Sequence, residues 1–209
     1  AYHSADVPAR SGWLPAFEIR DWRDGMLKGL PAPEADFALA LHSANVTDAS
    51  LKELAGLENL TTLDVNVTRV TDAGMRELAA LKRLTALNMS NSLVTDAGVR
   101  EIAKLQQLTA LDLFFTRVTD AGVRAVANLK RLTHLNLSAT QVTDAGLKHV
   151  ATLENLPSLD LDLTRVTDKG VKELANLKHL TMLGLVGTKV TDATAQELTK
   201  HENLTALRA

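Results

Sequence analysis

Apolar and polar positions alternate in this chain with a period of 24 residues. One unit starts Leu60-Thr61-Thr62-Leu63-Asp64-Val65-Asn66-Val67-Thr68-Arg69-Val70, the pattern LxxLxLxxTxV. Leu63 and Val65 alternate with polar neighbours, which predicts a short half-buried strand. The unit continues Thr71-Asp72-Ala73-Gly74-Met75-Arg76-Glu77-Leu78-Ala79-Ala80-Leu81. Met75, Leu78, Ala79 and Leu81 have the spacing of a short helix with one buried face. The tripeptide Val-Thr-Asp between the two halves starts seven times, at Val46, Val70, Val94, Val118, Val142, Val166 and Val190. A fixed period in this range is the mark of a solenoid.

The helix start is clearly written. With Thr71 as N-cap, Val70 precedes the cap and Met75 is the fourth helical residue, the pairing of a hydrophobic staple. Asp72 falls at the first helical position, where its charge suits the helix dipole. The same order recurs at Val118, Thr119, Asp120 and Val123, and at Val166, Thr167, Asp168 and Val171. It weakens in the last unit, where Thr194 stands in place of glycine and Ala195 in place of the larger apolar residue.

These residues resemble the leucine-rich repeat family from about Leu39 to the C-terminus. The VTDAG start is similar to bacterial repeats and to a cysteine-free form of the ribonuclease-inhibitor-like, cysteine-containing subtype. The resemblance implies an α/β leucine-rich repeat solenoid: a right-handed arc with a parallel sheet on its concave face and short helices on its convex face. The family position of Asn or Cys is Thr68, Thr116, Thr140, Thr164 and Thr188 here, with Ser92 and Ala44 as departures. Those hydroxyls are expected to bond backbone groups in the bend after the strand, as buried polar groups must.

Solenoid ends need covers. Residues 1–35 lack the repeat and hold Trp13 and Trp22, with Phe17, Ile19, Met26, Leu27 and Leu30. Ile19, Trp22, Met26 and Leu30 lie at near-helical spacing. This segment is read as an N-terminal cap, with Asp24-Gly25 and Pro31-Ala32-Pro33 as turn and linker. A separate docking peptide is the alternative. Residues 36–209 form the repeat domain. Leu204-Thr205-Ala206-Leu207-Arg208-Ala209 begins an eighth strand with no matching cap, so a longer parent chain or self-association through that edge is expected.

Several variable positions alternate every second unit. One strand position reads Ala40, Asp64, Asn88, Asp112, Asn136, Asp160, Gly184, and a rim position reads Arg69, Leu93, Arg117, Gln141, Arg165, Lys189. Equivalent residues in adjacent rungs lie about 5 Å apart, and like charges at that distance repel. Alternation relieves this.

The net charge of −2 gives no bulk attraction to nucleic acid or an anionic membrane. One Tyr, two Trp and four Phe are too few aromatics for a base-stacking platform. No apolar run reaches the ~20 residues of a membrane-spanning helix. Cysteine is absent, which excludes disulfides and thiolate sites without fixing a compartment.

The resemblance implies a binding surface on the concave strands: Asp64, Asn66, Asn88, Asp112, Phe114, Phe115, His134, Asn136, Asp160, Asp162 and Leu163, with a basic rim of Arg69, Arg117 and Arg165. Phe114-Phe115 stands out among small and polar neighbours, and aromatic anchors are typical hot spots. The bend after Leu113 lets both rings face outward; the alternative buries Phe115 under the sheet edge. Ser158, His134, Asp112 and Asp160 make a Ser/His/Asp set on paper, but on an open sheet with no oxyanion hole. Asp64, Asp112 and Asp160 are two rungs apart, about 10 Å, too far to share a cation. The expected function is non-enzymatic recognition of a protein partner, without cofactor, metal, nucleic acid or membrane insertion. The alternatives are a scaffold packing through helices and ends, and the substrate-receptor part of an F-box-like adaptor.

Overall fold

A computed structural model describes residues 16–27, 32–42, 45–198 and 201–208. Each 24-residue unit places one strand and one helix. The elements are β1 (Ala16–Ile19), β2 (Phe37–Leu41), α1 (Asp48–Leu54), β3 (Leu60–Asp64), α2 (Asp72–Leu78), β4 (Ala86–Asn88) and α3 (Asp96–Ile102). There follow β5 (Ala110–Asp112), α4 (Asp120–Val126), β6 (His134–Asn136), α5 (Asp144–Val150), β7 (Ser158–Asp160) and α6 (Asp168–Glu173). The last are β8 (Met182–Gly184), α7 (Asp192–Leu198) and β9 (Ala206–Arg208). Among the described residues the strands form one nine-stranded parallel sheet in chain order, open at both ends. The fold is an α/β repeat solenoid.

The core is one continuous column between sheet and helices. Its rungs are the repeated Leu and Val positions, for example Leu60, Leu63, Val65, Val70, Met75 and Leu78, all fully buried. Both members of the predicted staple, Val70 and Met75, are in it. The N-cap reading also holds. Thr71 Oγ1 accepts the Ala73 N–H at 3.2 Å, and Thr95, Thr119, Thr143 and Thr167 repeat the bond.

The aspartate of Val-Thr-Asp does more than its dipole position suggests. Asp72 Oδ1 accepts the Thr95 N–H at 2.8 Å and Oδ2 accepts the Thr95 hydroxyl at 2.6 Å. Asp72 Oδ1 also accepts the Gly98 N–H at 2.9 Å. Asp48, Asp96, Asp120, Asp144 and Asp168 clamp the next unit's Thr in the same way. Such charge-assisted bonds are the strong ones. Each unit is thereby stapled to the next on its helical side.

The bend after each strand is closed by the predicted hydroxyls. Thr68, Thr116, Thr140, Thr164 and Thr188 donate to Val65, Leu113, Leu137, Leu161 and Leu185 carbonyls at 2.6–2.7 Å. Ser92 is buried in the same place with its hydroxyl unpaired among the described residues. Serine lacks the second Cβ substituent that stiffens the threonine rotamer. Ala44 lies outside the described residues, as do Trp13 and Leu30.

The near-helical spacing of Ile19, Trp22 and Met26 does not give a helix. Ala16–Ile19 is a strand paired in parallel with β2, and residues 24–27 form a turn with Gly25 at φ 83°. The edge of β2 offers backbone partners that a lone helical turn lacks. Trp22 is buried, and its indole N–H donates to Asp24 Oδ1 at 3.2 Å. Asp24 Oδ1 also accepts the Ser50 hydroxyl at 3.2 Å. Asp24 therefore reaches the first turn of α1 through Ser50, whose hydroxyl oxygen in turn accepts the Thr47 N–H at 3.1 Å, in place of the direct clamp on threonine seen in the later units.

Candidate functional site

Three parallel rows cross the sheet face and its adjoining bend. The first is the alternating strand position, in register from Asp64 through Asn88, Asp112, Asn136, Asp160 and Gly184 to Arg208. Each side chain accepts the N–H two residues on: Asp64 from Asn66 at 2.9 Å, Asn88 from Ser90 at 3.0 Å, Asp112 from Phe114 at 2.8 Å and Asn136 from Ser138 at 2.9 Å. Asp160 accepts from Asp162 at 3.1 Å. The asparagines also donate sideways, Asn88 Nδ2 to Asp64 Oδ2 at 3.1 Å and Asn136 Nδ2 to Asp112 Oδ2 at 3.2 Å. The alternation is thus a bonded acid–amide ladder as well as a relief of repulsion. Burial, aided by Asp64 and Asp160, raises the Asp112 carboxyl above its ordinary range.

Gly184 breaks the ladder and is compensated from both sides. Asp162 Oδ1 reaches across to accept the Val186 N–H at 2.8 Å. Arg208 passes over Gly184 to pair with Asp160 and, at 3.3 Å, with Asp162. A Cβ on Gly184 would lie 2.5 Å from Asp160 Oδ1 and 3.0 Å from Arg208 Nη2. The acidic surround expected near Asp160 and Asp162 is therefore partly neutralised, by a residue the sequence reading left out.

The second row lies in the bend. Val67, Asn91, Phe115, Ala139 and Leu163 all have φ between 51° and 59°, and Gly187 completes the row at φ 69°. A bulky residue in this left-handed region costs on the order of 1–3 kcal/mol. The next rung holds it there: Val67, Phe115 and Leu163 N–H groups donate to Ser90, Ser138 and Val186 carbonyls. This conformation breaks the strand alternation, so adjacent Phe114 and Phe115 share one face. Their ring centroids are 6.0 Å apart at 37°. Phe114 is half-buried and Phe115 is 63% exposed, which places Phe115 on the surface. Val67 and Leu163 are 59% and 55% exposed. The sequence carried one sign of this row, Gly187 at a position where the other units have side chains.

The third row is the rim. Arg69, Arg117 and Arg165 are exposed; their backbone N–H groups donate to the Val46, Val94 and Val142 carbonyls, and their guanidinium groups have no hydrogen bond or ion pair among the described residues. Leu93 stands exposed between Arg69 and Arg117.

His134 and Ser158 pair in register as expected. His134 Nδ1 lies 2.9 Å from Thr133 Oγ1, and no hydrogen bond joins it to Ser158. Burial holds the imidazole below its usual pKa. No cluster of metal-ligating side chains occurs among the described residues, and no described helix is long and apolar enough to cross a membrane.

A leucine-rich repeat sequence profile matches residues 56–79, 104–127, 130–151 and 152–175. No curated protein matches the chain. Among solved structures, an internalin (inlF) from Listeria monocytogenes superposes with a TM-score of 0.65 at 21% identity, covering 83% of this chain and 58% of that one. An internalin C2 (inlC2) from the same organism gives 0.64 at 29% identity, over 78% and 69% of the two chains. The chain thus spans under two thirds of the length of the first internalin.

Proposed function

We propose, from the premise that the chain is a leucine-rich repeat protein, that it is a protein-recognition module whose partner sits on the sheet face beside Phe114 and Phe115. One observation carries the reading. Bulky apolar side chains are held in solvent by a backbone conformation that glycine would adopt without strain. A chain under selection for stability alone gains nothing from that placement. Exposed aromatics next to a fixed charge pattern are what partner recognition uses. The strand residues Asp64, Asn66, Asn88, Asp112, His134, Asn136, Asp160 and Asp162 then form the polar field around the anchor, and Arg69, Arg117 and Arg165 its basic rim.

The test couples stability to binding. Phe115→Gly removes the ring and relaxes the left-handed strain. Its stability is expected to be equal or higher by up to about 1 kcal/mol in urea unfolding. Affinity for a partner captured by the wild type and purified is expected to fall at least tenfold. Unchanged affinity of this folded variant would move the interface off the sheet face.

A further inference from the structure

The rows combine into a station that occurs three times. Every second rung carries a bulky left-handed residue, a buried threonine and an exposed arginine: Val67-Thr68-Arg69, Phe115-Thr116-Arg117 and Leu163-Thr164-Arg165. The rungs between carry Asn91, Ala139 and Gly187 at the apolar position, which leaves room beside each station. Leu163 uses that room, since its Cδ2 lies 2.6 Å from where a Gly187 Cβ would be. Each threonine is bonded to the backbone beneath it, so every station is fixed to its own rung.

The stations are two rungs apart. Adjacent rungs are hydrogen-bonded at this bend, so their spacing is that of paired strands and two rungs measure about 9.4–9.8 Å. A ligand that engages all three must present the same chemistry at that interval. Extended β-chains alternate faces every residue, so every third side chain points the wrong way. An α-helix repeats a face after seven residues, about 10.5 Å, and drifts out of step across three stations. A polyproline II segment has three residues per turn and rises about 9.3 Å per turn, on one face throughout. Its accumulated mismatch over two intervals stays near or below about 1 Å.

Charge selects the second feature. The ladder carboxylates Asp64 and Asp112 are spent on N–H and amide donors within the sheet, and Asp160 and Asp162 face Arg208. Arg69, Arg117 and Arg165 have no such partner among the described residues. The carboxylates keep their charge on the strand side, and the cations without an ion pair beside the apolar row are the three rim arginines.

Resting on the recognition reading above, we propose that the sheet rim binds an acidic polyproline II segment lying across the rungs, with an apolar and an acidic residue in every three. The apolar face seats on Val67, Phe115 and Leu163, and the acidic face meets the arginines. Fluorescence anisotropy with a labelled synthetic peptide of four Leu-Pro-Glu triplets tests this on the full chain. Two control peptides accompany it, one of the same composition with the leucines at irregular intervals and one with Lys for Glu. The triplet peptide is expected to bind, each control at least about tenfold more weakly, and Phe115→Ala and Arg117→Glu chains to lose at least about tenfold for the triplet peptide. Arg117→Glu is further expected to narrow the gap between the Glu and Lys peptides. Equal binding of the irregular peptide would overturn the spacing argument, and equal binding of the Lys peptide the charge argument. No binding by any peptide, while a captured partner still depends on Phe115, would sink this proposal and leave the recognition reading standing.

Discussion

Two aspartates of similar appearance do opposite work. Asp96 accepts the Thr119 N–H and hydroxyl and the Gly122 N–H, at 2.7–3.0 Å. Asp96→Ala leaves these donors without their partner and is expected to cost about 2–4 kcal/mol in urea unfolding. Asp112 is half-buried between Asp64 and Asp160, and its raised pKa means that the folded state disfavours the charge. The contribution of a raised carboxyl is fully present below the unfolded value and is lost as pH rises from there through the folded one. Asp112→Asn keeps an oxygen for the Phe114 N–H but sets its own amide N–H groups against those of Asn136, which lose their acceptor, so at pH 7 the relief of charge is offset and stability is expected to stay within about 1 kcal/mol of wild type. Asp168 shows the other sign. The Thr194 hydroxyl, then the Thr191 N–H and hydroxyl, lower its pKa to about 2. Its contribution is full above the unfolded value near 4 and is lost as pH falls towards 2. Thr194→Ala is expected to raise the Asp168 pKa, read by carboxyl NMR titration. The glycine of VTDAG belongs to the same clamp. A Cβ on Gly122 would lie 2.6 Å from Asp96 Oδ1 and 2.8 Å from Val118 Cγ1, so Gly122→Ala is expected to destabilise by about 1–3 kcal/mol despite better helix propensity.

At the scale of the element, neither strand nor helix stands alone. β5, β6 and β7 are three residues each and the helices are at most seven. Isolated helices of that length are marginal in water. Their stability comes from the column of buried leucines between them. Leu135, 2% exposed in the middle of β6, is packed between Leu111 and Leu159 in register. Leu135→Ala is expected to cost about 2–5 kcal/mol through the cavity it leaves. A cost under about 1 kcal/mol in chemical unfolding would contradict the inward placement. The same dependence explains β1, whose apolar spacing suited a helix but whose neighbour was an open strand edge.

For the whole molecule the working period is 48 residues rather than 24. Deleting residues 85–132 removes two units and sets the Asp64 rung against Asn136, so the acid–amide order survives. Deleting residues 85–108 removes one unit and sets Asp64 against Asp112 and Arg69 against Arg117. Nearest-neighbour energetics make the longer array the more stable one when all interfaces are equal. Here the one-unit deletion is expected to gain stability on adding salt or lowering pH, as like charges about 5 Å apart are screened or neutralised, and the two-unit deletion to respond like wild type. Thermal melts across salt concentration check this. The repeat, the buried Leu and Val positions, the threonine caps and the bend hydroxyls were all legible in the sequence, because each is set by contacts within one unit or by apolar periodicity. The exposure of Phe115, the reach of Asp96 to Thr119 and the bridge from Arg208 to Asp160 were not. They depend on φ at a single bend residue and on which atoms of neighbouring rungs come within bonding distance, and only the stacked structure decides those.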